Sequence, residues 1–133
     1  MRPFVCLALS LALVLSAAVS AQARPKIALR TVADPTIENG VAVFRRAGAK
    51  PRDYWCNAGD YAARKLGAGA GAARELVRPE GAPGGPSDRP SIGFRVVRGD
   101  GASGTVTVSA VGERHTLAQT RAFCLGQDDP GRQ

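Results

Sequence analysis

Two stretches with helical spacing each carry one cysteine, and several short alternating runs lie between Gly/Pro-rich breaks. Together they predict an α+β fold, a small antiparallel sheet packed against two disulfide-linked helices. The disulfide half of that prediction rests on the first 23 residues. Met1-Arg2-Pro3 carries one positive charge, residues 4–19 carry none and are rich in Leu, Ala and Val, and Ala21-Gln22-Ala23 has the small-x-small form of a cleavage site. This is the pattern of a secretory signal peptide. Its apolar run is shorter than the roughly 20 residues a membrane span needs, so no transmembrane anchor is expected after cleavage.

Cleavage after Ala23 removes Cys6 and leaves 110 residues. That is one domain (24–126) with a flexible tail (127–133). Two cysteines remain, Cys56 and Cys124. In the oxidising periplasmic or extracellular compartment that a leader implies, an even pair in a small domain reads as a disulfide.

The elements follow in order. Residues 27–46 hold one or two strands, with Val41-Ala42-Val43-Phe44 as the β-prone run and Asn39-Gly40 as a turn or bulge. Residues 53–66 form the clearest helix. Pro51 and Asp53 suit its first turn, Trp55, Ala58, Ala62 and Leu66 recur at helical spacing, and Gly67 stops it. Cys56, Gly59 and Ala63 make an adjoining small-residue stripe, which points to the close approach of a second helix. A strand is expected at 75–77, an irregular Pro/Gly loop at 79–90, and an antiparallel hairpin from 92–98 and 105–111, both of which alternate. Thr116 and Gln119 fit a capping box ahead of a helix at 117–125 that ends at Gly126, with Cys124 in its last turn.

Candidate sites are few. Cys56 near a helix start and His115, the single histidine, are the only pair with nucleophile–base chemistry. This arrangement resembles the NlpC/P60 and CHAP cell-wall amidases, which also place a Cys at a helix start and a His on a later strand. The resemblance implies a hydrolase with Cys56 as nucleophile and His115 as base, although the Asp-Cys-Ser-Gly-type signature is absent. The competing reading uses Cys56 as a structural bridge and His115 as a surface turn residue or satisfied polar group before the expected N-cap. No metal site is expected, since His115 has no His or Cys neighbour in zinc spacing and Asp128-Asp129 is a solvated tail pair. No cofactor is expected, because the glycines at 67–71 follow a helix where a phosphate loop would open one.

The chain has net charge +7, or +6 without Arg2, and only three of its basic residues are lysines. If this charge serves binding, the expected contacts are Arg45, Arg46, Lys50 and Arg52, joined by Arg95 and Arg98. The expected partner is an anionic cell-envelope component or a periplasmic protein, with nucleic acid disfavoured. Finally, Tyr54-Trp55-Cys56-x-Ala58-Gly59-Asp60-Tyr61 with a second Cys in a C-terminal helix resembles small exported, periplasmic bacterial proteins of unassigned function. The resemblance supports a Cys56–Cys124 pairing and adds nothing about activity.

Overall fold

The computed structural model describes residues 24–99 and 101–127. Residues 1–23, read above as a leader, and Asp128-Asp129 lie outside the described residues. Strands β1 (Thr31–Asp34) and β2 (Gly40–Phe44) precede helix α1 (Pro51–Lys65). Strands β3 (Ala72–Arg78), β4 (Ser91–Arg98) and β5 (Arg114–Thr116) then lead to helix α2 (Leu117–Leu125). All neighbours are antiparallel in the order β1-β2-β4-β3-β5. The fold is α+β, and Cys56 and Cys124 are bonded (S–S 2.03 Å), joining α1 to α2.

β1 and β2 form a hairpin whose turn ends in Asn39 at φ 50°, a conformation that asparagine tolerates better than most residues. On one face of the sheet, Val41, Val43, Leu76, Ile92 and Phe94 pack with Tyr54, Trp55 and Ala58 of α1 into one apolar core. Because side chains alternate along a strand, Ala42, Phe44, Ser91, Gly93, Arg95 and Glu75 belong to the other face.

Helix α1 begins two residues before the expected start. Its N3 carboxylate, Asp53, accepts from the Lys50 amide at 2.7 Å, fixing the first turn. The predicted Thr116 capping box is formed: Thr116 Oγ1 accepts from the Gln119 amide, and Gln119 Oε1 from the Thr116 amide. The small stripe on α1 also has its explanation. A Cβ on Gly59 would lie 2.3 Å from Thr120 Oγ1 and 2.4 Å from Thr120 Cβ, so α2 packs its Thr120 side chain directly into the space of the missing methyl.

Three expectations are corrected. The alternating segment 105–111 is not a strand. Both edges of β4 are already occupied, by β2 and β3, so it has no place for a third partner. The segment is instead an irregular loop. Trp55 Nε1 donates to Thr107 O at 2.6 Å, the Thr107 amide donates to the Glu113 carboxylate, and Val108 alone is buried. The fifth strand is β5, which pairs with β3 through His115 opposite Arg74. His115 is not a surface turn residue: it is fully buried, with its ring against Trp55 (centroids 4.5 Å) and Phe123 (5.0 Å).

The tail, third, does not begin at Gln127. That side chain is buried and bridges the two ends of the domain: Oε1 accepts from the Lys26 and Ile27 amides and Nε2 donates to Asp53 Oδ1. Asn57 completes the clamp on the N-terminal segment, accepting from the Leu29 amide and donating to Ile27 O. These bonds imitate strand pairing with two side-chain amides, so residues 26–29 lie on α1 without joining the sheet.

Candidate anion-binding face

The face of the sheet turned away from the helices is polar and arginine-rich. Strand register places Asp34, Gly40, Arg95, Glu75 and Arg114 on one rung that crosses all five strands. In its centre Glu75 is gripped from both sides. Arg95 donates to Oε1 (Nε 2.9 Å, Nη2 2.5 Å) and Arg114 Nε donates to Oε2 at 2.5 Å. Burial alone would raise the Glu75 carboxyl, but the bonds and charges of Arg114 and Arg95 outweigh it and hold it below the usual carboxylate range. The two arginines remain 45% and 40% exposed, so this unit shows solvent two cations for one neutralised anion.

At the other end of the same face, Phe44 carries two more. The guanidinium carbons of Arg30 and Arg89 lie 5.4 and 5.5 Å from its ring centroid, within cation–π range. Both arginines are exposed. The phenyl ring thus orders two side chains that would otherwise sweep through solvent.

Between these ends lies a buried ion pair. Arg78 Nη2 sits 2.8 Å from Asp34 Oδ2 and 2.8 Å from Ser91 Oγ, and Thr36 donates twice to Asp34 Oδ1. Burial would raise the Asp34 carboxyl, yet the bonds from Thr36 and Arg78 hold it low. Loop 79–90 closes over this pair: a Cβ on Gly85 would fall 2.7 Å from Ser91 Oγ and 3.1 Å from Arg78 Nη2. The loop predicted as irregular is therefore seated on the sheet, and it carries Arg89 to Phe44.

No protein-family model, curated protein or solved structure matches this chain. Of the expected binding residues, Arg45 pairs with Glu80, Arg52 Nη1 donates to Gly126 O at 3.1 Å, Arg46 is exposed, and Lys50 is the N-cap of α1. Arg45 thus has a carboxylate partner within the fold, whereas Arg52 is held by a neutral carbonyl and keeps its charge. Arg98 is exposed at the end of β4. Arg95 alone of the expected set belongs to the Glu75 rung. Sequence reasoning missed Arg30, Arg89 and Arg114. The spacing of Arg114 from Thr116 is strand-like, but only the register with β3 brings it to Glu75.

Cys56 and His115 each have a partner within the fold. Cys56 Sγ is bonded to Cys124 and in this oxidised form supplies no thiolate. His115 Nε2 is 2.8 Å from Glu113 Oε2, and Glu113 also accepts from Thr107 Oγ1 at 2.6 Å. Cys56, Glu113 and His115 are all buried. Among the described residues, no group of three or more His, Cys, Asp or Glu side chains is arranged to hold a metal ion. No helix among them is long and apolar enough to cross a membrane.

Proposed function

We propose that this chain is an exported, periplasmic binding module that holds an anionic component of the cell envelope on the outer face of its sheet. The observation that carries the reading is the shared carboxylate: Glu75 neutralises one of the two arginines that grip it and leaves that three-residue unit net positive, while Asp34 at the end of the rung is paired with Arg78. Arg30 and Arg89, ordered on Phe44, extend the positive face. The leader-like N-terminus and the Cys56–Cys124 bond support export to an oxidising compartment. The resemblance to small exported bacterial proteins supports the same reading.

The magnitudes favour an extended anionic surface over an isolated charge. A basic residue near an anionic membrane contributes about 1 kcal/mol. Three uncompensated arginines then give about 3 kcal/mol, weaker than millimolar affinity. A repeating polyanion or lipid surface raises this by engaging several sites at once.

Co-sedimentation of the disulfide-bonded protein tests the proposal, using anionic vesicles, zwitterionic vesicles and purified wall sacculi at low and high salt. Retention on an anionic surface at low salt and release at high salt supports it, since charges separated by more than about 8 Å are screened at physiological ionic strength. Retention by vesicles or by sacculi tells lipid headgroups from wall polymer. Absence of retention at low salt on every surface overturns it.

A further inference from the structure

On the opposite side of the molecule, α1 and α2 cross at Gly59 and Thr120. Beside the crossing opens a cavity of about 220 Å³, lined in part by Gly59, Asp60, Arg64, Thr120 and Arg121. Asp60 is already committed: Arg64 holds its Oδ2 through Nε at 2.9 Å and Nη2 at 2.7 Å. Arg121 is exposed and has no hydrogen bond or ion pair among the described residues.

Behind the Gly59 wall lies a second guanidinium without a counter-ion. Arg74 is 1% exposed, yet its bonds are to two backbone carbonyls, Nη2 to Gly59 O at 3.2 Å and Nη1 to Ala72 O at 3.3 Å. Its Nε has no partner among the described residues. Burial and then the nearby charge of Arg121 push this guanidinium down to about 10. A buried cation is ordinarily paired with a carboxylate. Here the charge is tied to the carbonyl of Gly59, a lining residue of the cavity, whose rim adds the positive charge of Arg121.

We infer that the α1–α2 cavity binds a small phosphate-class oxyanion, contacted directly by Arg121 and stabilised from behind by the buried charge of Arg74. Two unpaired guanidiniums match the charge of about −1.5 to −2 that a phosphomonoester carries at neutral pH. The cavity is large enough for such a group and too small for a polymer segment, so this site is separate from the outer face of the sheet.

The test is an amide NMR titration of the disulfide-bonded protein with inorganic phosphate, and separately with glycerol phosphate, against chloride at equal ionic strength. Saturable shifts at Gly59, Thr120 and Arg121 with either phosphate compound, and not with chloride, are expected, and the tighter of the two tells free phosphate from a phosphomonoester. Arg121→Gln, a change at an exposed side chain, should weaken binding about tenfold or more through loss of a charge-assisted contact. Arg30→Gln/Arg89→Gln should leave it unchanged, so failure of the outer-face proposal and failure of this one are distinguishable. Non-saturating shifts shared with chloride, or unaltered affinity in Arg121→Gln, overturn the inference.

Discussion

Arg95 and Arg114, on strands that flank β3, hold opposite oxygens of the one Glu75 carboxylate. This joins three strands across their outer face and ties the short strand β5 to the sheet. Its contribution depends on pH in a definite direction. Glu75 is held below its ordinary value of 4.5 and Asp34 below 3.8. A depressed carboxylate stabilises the folded state above its unfolded pKa, and the contribution is lost as pH falls through the folded value. Thermal denaturation should therefore show stability falling as pH drops below about 4.5. Glu75→Gln should flatten part of that fall. Exposure of both arginines limits each pair to about 1 kcal/mol, so the flattening is partial. An identical acid profile in wild type and Glu75→Gln contradicts the assignment.

Gly59→Ala separates propensity from packing. In an exposed helix, Gly to Ala gains about 1 kcal/mol. At the crossing with α2 the new methyl would meet Thr120 at 2.3–2.4 Å. The substitution should therefore destabilise, by about 1–3 kcal/mol as overpacking typically does. Adding Thr120→Gly should recover part of the loss despite the helix cost of glycine. Denaturant midpoints of the single and double variants decide it, and a stabilised Gly59→Ala rules out the close crossing.

Removal of the bridge has its own signature. Cys56→Ala and Cys124→Ala should each cost about 2–5 kcal/mol, the range for native disulfides in small secreted domains. The double variant should add little, because either change removes the same crosslink. Additive losses in urea titrations would mean that the two cysteines contribute as separate buried residues.

The Trp55 indole is a tether as well as core. Trp55→Phe keeps the ring against Phe94 but removes the donor to Thr107 O. A loss of about 1–3 kcal/mol follows from leaving that bond unmade. Hydrogen exchange should rise across 105–111. Unchanged protection there would show that Glu113 alone holds the loop.

What the sequence made legible follows from which interactions are local. The 3.6-residue spacing of Trp55, Ala58 and Ala62, the Thr116–Gln119 capping box and the paired cysteines depend on near neighbours or on chemistry alone. The helices and their crosslink were accordingly readable. Gly59 was readable as a close approach, though not Thr120 as the side chain that fills it. The segment 105–111 alternates as a strand would, but strand formation needs a free edge, and the edges of β4 are taken by partners 15 to 55 positions away. His115 is a polar group partnered by Glu113 and not a surface turn residue, for a related reason. Next to an N-cap it looks exposed, whereas β5 pairs it with Arg74 and turns it onto Trp55. Glu113 and His115, two apart, share the period-2 spacing of one strand face and meet at 2.8 Å. The outer-face site was the least legible, since Arg30, Arg89, Arg95 and Arg114 meet only through sheet register and a folded-back loop.

Binding by the outer face is tested most sharply by the salt dependence of retention on anionic vesicles and wall sacculi, wild type against Arg30→Gln/Arg89→Gln. Both arginines are exposed and rest on Phe44, so the variant should fold with a near-native denaturation midpoint. Binding at low salt should weaken with added salt, and the double variant should bind more weakly and with a shallower salt slope. Equal retention of wild type and variant would contradict the outer face as the binding surface, and so would wild-type binding indifferent to salt.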